Sequence, residues 1–95
     1  MADLRSIIRR PIISERTMDL LAENKYTFEV DLKATKPQIR EAIEQIFNVE
    51  VEKVNTMRVR GKKRRMGRNE GKRPDWKKAI VTLKEGQRIE LFEGL

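Results

Sequence analysis

The 95-residue sequence predicts an α+β fold, with helices packed on a mostly antiparallel sheet of about four strands and a long basic hairpin loop. Residues 25–31 (KYTFEVD) and 75–83 (DWKKAIVTL) alternate apolar and polar side chains, which is typical of half-buried strands. Residues 35–47 carry an apolar stripe at helical spacing. Residues 60–74 are too highly charged to belong to a core.

The first helix is predicted over residues 15–24. Ser14 precedes it and can accept a hydrogen bond from a free backbone N–H of the first turn. Glu15 lies in that turn, where the helix dipole favours an anion. Asn24 is suited to a left-handed conformation and is the predicted stop.

The second helix begins after Thr35, which forms a capping-box pattern with Gln38. Pro37 is compatible with a first helical turn. The residues predicted to form its buried stripe are Ile39, Ala42, Ile43, Ile46 and Phe47.

A long strand is predicted over residues 49–60, with residues 75–83 as its hairpin partner. Val54 breaks the alternation of this strand, which predicts a bulge or a bend near residues 52–54. The alternation otherwise places Val49, Val51, Met57 and Val59 on one face. Residues 87–92 (QRIELF) are predicted to form a final short strand.

The charge of the chain is concentrated in residues 60–74 (RGKKRRMGRNEGKRP). These residues hold eight cations and one anion, which accounts for the whole net charge of +7. A charge block of this kind repels itself until a polyanion neutralises it. Phosphate backbones are the commonest such polyanion, because release of their counterions drives binding. A connection this long indicates a functional loop, or one that orders on RNA.

Other cations lie before the first helix, beside the second helix and on both strands next to the loop. We expect them to recognise the shape and the backbone phosphates of RNA rather than its base sequence. Trp76 either stacks on a base or holds the base of the loop against the sheet. The candidate RNA-binding residues are Arg9, Arg10, Lys33, Lys36, Arg58, Arg60, Lys62, Lys63, Arg64, Arg65, Arg68, Lys72, Arg73, Trp76, Lys77 and Lys78.

The composition argues against an enzyme. The sequence has no histidine and no cysteine, the commonest acid–base group and the thiolate metal ligand. A metal-dependent nuclease would have to use carboxylates such as Glu70 and Asp75, which lie in or beside a glycine-rich loop. We therefore expect no catalytic residue, metal or cofactor. No apolar run reaches membrane-spanning length, and the N-terminal residues do not resemble a signal peptide, so the cytoplasm is the expected location.

The whole chain resembles bacterial ribosomal protein L23 of the large subunit. The middle helix with its VEKVNT continuation and the WKKAIVTL strand are the most specific segments. The matching segments are RRPIISERT (9–17), KYTFEVD (25–31), ATKPQIREAIEQIFNVEVEKVNT (34–56), RGKKRRMGR (60–68) and DWKKAIVTLKEGQ (75–87).

The resemblance implies one rRNA-binding domain over residues 1–95, bound to 23S rRNA and to neighbouring large-subunit proteins near the polypeptide exit tunnel. It also implies a docking surface for trigger factor and signal recognition particle. The family's docking glutamate corresponds to Glu15 and a neighbouring aromatic position to Phe47. Asn48 replaces an acidic residue of some members. No homo-oligomer is expected. From the residues alone, a free-standing RNA-binding module or RNA chaperone remains the alternative.

Overall fold

Four antiparallel strands form the main sheet, and helices pack against it, which confirms the predicted α+β class. The structure is a computed structural model that describes residues 4–61, 63–66, 69–72 and 74–89. The helices are α1 (Leu4–Ile7), α2 (Glu15–Leu20) and α3 (Lys36–Phe47). The strands are β1 (Ile8–Pro11), β2 (Lys25–Val30), β3 (Val51–Val59), β4 (Lys63–Met66), β5 (Asn69–Lys72) and β6 (Trp76–Leu83).

The main sheet has the strand order β1-β2-β6-β3, so β6 lies between β2 and β3. In β6, Ala79, Val81 and Leu83 are buried, as the alternation of the sequence predicts. Ala79 and Val81 lie directly opposite Phe28 and Tyr26 of β2, and Leu83 lies opposite Val51 of β3. Together they form the floor of the core on which α3 packs.

The capping box predicted at Thr35 and the cap predicted at Ser14 are both present, and the Ser14 cap is a second capping box, with Thr17. The Thr35 hydroxyl accepts from the Gln38 N–H, and the Gln38 side chain accepts from the Thr35 N–H. At α2, the Ser14 hydroxyl accepts from the Thr17 N–H, while the Thr17 hydroxyl oxygen lies 2.7 Å from the Ser14 nitrogen. These bonds satisfy backbone donors that a helix leaves free in its first turn.

The helix predicted over residues 15–24 corresponds to α2 and is shorter than predicted. The α-helix ends at Leu20, and a 3-10 turn spans Leu21–Glu23. Asn24 has φ 61°, which confirms the predicted left-handed stop. Its side-chain amide donates to the carbonyls of Leu83 and Lys84, at 3.0 Å each. Asn24 therefore both ends the helical segment and attaches it to the end of β6.

The apolar stripe of α3 packs on the sheet as predicted. Ile39, Ala42 and Ile43 are completely buried. Phe47 is half-buried and lies against Phe28, with ring centroids 5.7 Å apart. Ile46 is at the margin of the stripe and is 39% exposed, since the buried face covers only part of each turn.

The predicted irregularity in β3 is confirmed, but its consequence for the strand's faces differs from the sequence prediction. The register against β6 shifts between Val51 and Lys53. Beyond the shift, Val54 lies opposite the buried Val81 and packs on the core. Met57 is consequently on the other face and 53% exposed. The prediction that Val51 and Met57 share a face is wrong, because the extra residue reverses the alternation.

The fourth strand of the main sheet is β1, not the predicted residues 87–92. The sequence of Ile8–Pro11 does not predict a strand, because its two adjacent arginines interrupt the alternation and its proline lacks a backbone donor. Residues 87–89 are not in a strand, and residues 90–92 lie outside the described residues. Ile89 is nevertheless buried, and its N–H donates to the Tyr26 hydroxyl at 3.3 Å.

The long basic loop predicted over residues 60–74 is not confirmed as a loop. Strands β4 and β5 pair within it as a separate two-stranded antiparallel sheet, with Met66 opposite Asn69 and Lys63 opposite Lys72. Strand pairing satisfies backbone donors and acceptors within the segment, which a purely irregular loop would leave to water. The segment that follows β3 is therefore a basic hairpin (residues 63–72).

Packing of α3 on the sheet predicts a large difference between two isoleucines of the same helix. Replacing the fully buried Ile43 with alanine should lower the free energy of unfolding by about 2–5 kcal/mol, from lost burial and the cavity left behind. Ile46→Ala is the matched control and should cost less than about 1 kcal/mol, because Ile46 is 39% exposed. Urea denaturation monitored by circular dichroism measures both; equal losses would contradict this packing.

Candidate nucleic-acid interface

The directions of the strands collect cations from distant parts of the sequence at one end of the main sheet. β2 and β3 end there, while β1 and β6 begin there: Ile8 lies opposite Val30, and Val59 lies opposite Trp76. The short loop that leads from β2 into α3 lies at the same end, where the Lys77 ammonium contacts the Ala34 carbonyl. We call this set the basic end, and its members are Arg9, Arg10, Lys33, Lys36, Arg58, Arg60, Lys77 and Lys78.

Asp75 joins the two strands from which the basic hairpin projects. Its Oδ1 accepts from the Gly61 N–H at 2.8 Å, and its Oδ2 lies 3.3 Å from Arg58 Nη2. The carboxylate is only 17% exposed, whereas Arg58 is 63% exposed. Asp75 thus fixes the end of β3 to the start of β6. From the sequence, Asp75 is a candidate only as a carboxylate metal ligand. Its role between the two strands depends on tertiary proximity and has no local sequence signal.

Two further cations of the basic end are held by the protein itself. Arg10 forms an ion pair with Glu29, directly opposite on β2, with Nη2 and Oε1 3.2 Å apart. The Lys77 ammonium donates to the Ala34 carbonyl, on the side of the sheet that faces α3. Lys77 therefore stabilises the loop that leads into α3, and its bond to Ala34 competes with any contact to a ligand.

The remaining cations are available to a ligand. Within the part of the chain that the structure describes, no hydrogen bond or ion pair engages the side chains of Arg9, Lys33, Lys36, Arg60 or Lys78. Only Lys78 among them is half-buried; the other four are exposed. Three carboxylates, Glu29, Asp31 and Asp75, lie nearby, so the basic end keeps a surplus of positive charge.

Lys33 and Lys36 flank the start of α3. The Lys33 N–H donates to Asp31 Oδ1 at 3.0 Å, which shapes the loop and leaves the lysine ammonium exposed. Lys36 is the first residue of the helix. Free backbone N–H groups and the helix dipole make this position favourable for an anion.

Four more of the sequence-predicted RNA-binding residues lie on the strands of the basic hairpin. Lys63, Arg64, Arg65 and Lys72 lie on its two strands, where the backbone pairing is described. The remaining three, Lys62, Arg68 and Arg73, lie outside the described residues. The hairpin begins directly after the Gly61–Asp75 contact, so it extends from the basic end.

Trp76 is half-buried at the first position of β6. It lies opposite Val59, on the face of the sheet away from α3, which we call the open face. Lys78, Ile80 and Met57 share this face and are half-buried or exposed. The structure therefore places Trp76 beside the basic end, with part of its indole accessible.

The two predicted docking residues lie on different elements, Glu15 at the start of α2 and Phe47 at the end of α3. Phe47 contacts Phe28 from α3, and Pro11, opposite Phe28 on β1, leads into the exposed Glu15 at the start of α2. Each has an exposed apolar neighbour: Ile13 is 47% exposed and Ile46 is 39% exposed. The sequence pattern assigned Ile46 to the core and did not identify Ile13.

Among the described residues, no cluster of carboxylates is arranged to hold a metal ion. Within the same ranges, no helix is long and apolar enough to cross a membrane.

Comparison with known proteins identifies the family of this chain. The model of the family Ribosomal protein L23 matches residues 6–91. The chain belongs to this family. It is therefore a ribosomal protein and a structural component rather than an enzyme.

Three relatives are similar to the chain over almost its whole length, and each is named large ribosomal subunit protein uL23. The protein of Roseiflexus sp. is 65% identical over 88 residues, which cover 93% of this chain and 94% of the relative. That of Pelotomaculum thermopropionicum is 56% identical over 95 residues, with both chains fully covered. That of Symbiobacterium thermophilum is 57% identical over 93 residues, covering 98% of this chain and 99% of the relative.

The two contacts of Asp75 predict that the carboxylate matters more for its hydrogen bond than for its charge. In this L23 protein, Asp75→Ala should lower the free energy of unfolding by about 1–3 kcal/mol, because the part-buried Gly61 N–H loses its acceptor. Asp75→Asn retains an acceptor oxygen and weakens an ion pair whose arginine is 63% exposed, so it should cost about 1 kcal/mol or less. Urea denaturation compares the two; an asparagine variant as unstable as the alanine variant would contradict this assignment.

Proposed function

We propose that this chain is a structural component of the large ribosomal subunit in the cytoplasm that binds 23S rRNA through its basic end and basic hairpin. The observation that carries the proposal is the convergence of cations at one end of the sheet, continuous with a hairpin that holds most of the net charge. Family membership and the names of the relatives support the ribosomal location.

The physical basis is neutralisation of phosphates. RNA carries a condensed layer of counterions, and each cation that replaces them gains free energy from their release. Arg9, Arg60 and Lys78 on the sheet and Lys33 and Lys36 at the start of α3 present such cations without internal partners among the described residues. Contacts of this type position the protein on the RNA and carry little base specificity.

The whole chain, residues 1–95, serves in this proposal as one rRNA-binding domain. The sequence outside residues 60–74 is neutral overall and supplies the core. The hairpin and the basic end supply the contacts with RNA. A free-standing RNA-binding module would need the same basic end, but the family and its relatives favour the ribosomal assignment.

We further propose that the surface around Glu15 and Phe47 docks nascent-chain factors, trigger factor and signal recognition particle, near the polypeptide exit tunnel. Exposed Ile13 and Ile46 beside these residues support this proposal, because apolar side chains exposed next to a charge are typical of a docking surface. The surface belongs to α2 and the end of α3, whereas the basic end lies at the start of α3. Both partners can therefore be bound at once.

Binding to purified 23S rRNA at several salt concentrations tests the rRNA proposal. The logarithm of the binding constant should fall with the logarithm of salt at a slope of roughly −4 to −7, as expected if six to eight cations meet phosphates. Replacing Lys33 and Lys36 together with glutamine should reduce the magnitude of that slope by about 1.4–1.8, the contribution of two phosphate contacts.

The matched control replaces Lys25 and Lys84 with glutamine. These substitutions lower the net charge by the same amount, but the two residues lie at the opposite end of the sheet, at the start of β2 and just after the end of β6. The slope should not change in this variant. Equal effects of the two double substitutions would show that net charge, rather than the basic end, governs binding.

Removal of the Glu15 charge tests the docking proposal. Ribosomes carrying Glu15→Gln should bind trigger factor up to about fivefold more weakly, the usual effect of losing one exposed ion pair. Glu52→Gln removes another exposed carboxylate, on β3, and should leave the affinity unchanged. Fluorescence titration of labelled trigger factor measures both, and unchanged affinity in the Glu15 variant would contradict the assignment.

A further inference from the structure

An open groove of about 730 Å³ lies where the open face meets the basic end. Its volume falls within the range of about 300–1,000 Å³ typical of small-ligand sites. Trp76, Val59 and Leu32 contribute apolar surface, and Arg9, Arg10 and Arg60 contribute cations. The groove is therefore apolar at its floor and basic at its rim.

The Trp76 side chain lines the groove and is only half-buried. Its backbone lies opposite Val59, which places the indole on the open face. The ring contact between Phe28 and Phe47 lies on the face toward α3 and does not involve Trp76. No hydrogen bond to another described residue engages the Trp76 indole. A planar ligand could therefore lie against it.

The two carboxylates that line the groove do not cancel its positive charge. Glu29 is paired with Arg10 at 3.2 Å, and Asp75 is paired with Arg58 at 3.3 Å and accepts from Gly61. Arg9 and Arg60 remain exposed without partners among the described residues. Anionic groups at the rim are thus favoured, while the floor favours an apolar plane.

A nucleotide combines these two properties, because a flat base is attached to a phosphate. In a double helix the base faces are covered by stacking, whereas an unpaired base can leave the stack and lie on an aromatic side chain. We propose that the groove binds one unpaired nucleotide of the RNA, with its base on Trp76 and its phosphates at Arg9 and Arg60. This inference rests on the proposed RNA-binding function and adds a preference for unpaired over duplex RNA.

Trp76 is the only tryptophan of the chain, so its fluorescence reports on the groove directly. The probes are an RNA hairpin with a bulge of unpaired adenosines, the same hairpin without the bulge, and a bulged hairpin whose bulge positions are abasic. The bulged RNA should quench Trp76 and protect it from acrylamide. The duplex and the abasic RNA should bind without either effect. Quenching by all three RNAs alike would overturn the proposal.

Substitutions separate base stacking from apolar packing by Trp76. Trp76→Phe keeps an aromatic plane and should bind the bulged RNA, measured by anisotropy of a labelled RNA, nearly as well as the wild type. Trp76→Leu fills the floor of the groove without a stacking plane and should bind it about 5- to 100-fold more weakly, with duplex affinity unchanged. Met57→Ala, on the open face but outside the groove, is the control.

The outcomes separate this inference from the function on which it rests. Salt-dependent binding of every RNA with no preference for the bulge overturns the nucleotide groove alone. Leucine and phenylalanine variants that bind the bulged RNA equally well do the same, and assign Trp76 to packing. Absence of binding to any RNA overturns the proposed function as well. Protection of Trp76 by a poly-glutamate peptide but not by bulged RNA would assign the groove to an acidic protein.

Discussion

The register of β6 against its two neighbours is the constraint on which the rest of the structure depends. It directs Val81 and Leu83 into the core beneath α3 and places Trp76 and Lys78 on the open face. A slip of one residue would exchange the two sets, burying a lysine and exposing the core valine. The hydrophobic core and the charged groove are therefore two results of one alternation, and neither can change without the other.

Much of the fold can be predicted from the sequence, because the patterns that specify it involve residues close together in the chain. The Thr35 cap, the Asn24 stop and the stripe of α3 each depend on residues a few positions apart, and all three are observed. The misassigned elements depend on distant partners. Strand β1 forms because β2 offers a free edge, not because its Arg9–Arg10 sequence favours a strand. The face of Met57 depends on a bulge that only the pairing with β6 defines.

The candidate site shows the same division. The density of cations in residues 60–74 is visible in the sequence, and strand order explains why Arg9 and Lys36 join them at one end. Sequence alone could not tell which cations are already held by the protein. Lys77 looks equivalent to Lys78, yet its neighbour in space is the Ala34 carbonyl. Alternation already separates the faces of Lys77 and Lys78, but only tertiary distances show that the Ala34 carbonyl lies within reach of Lys77.

The irregular outer strands have a consequence for copies of the chain that have not yet joined a larger assembly. An exposed strand edge can pair with the same edge of another copy and begin aggregation. Here β1 is short, interrupted in register, charged at Arg9 and Arg10 and closed by Pro11, while β3 carries a bulge together with Lys53 and Arg58. The arginines proposed to contact RNA thus also disfavour pairing of these edges with another copy of the chain, in the interval between synthesis and incorporation.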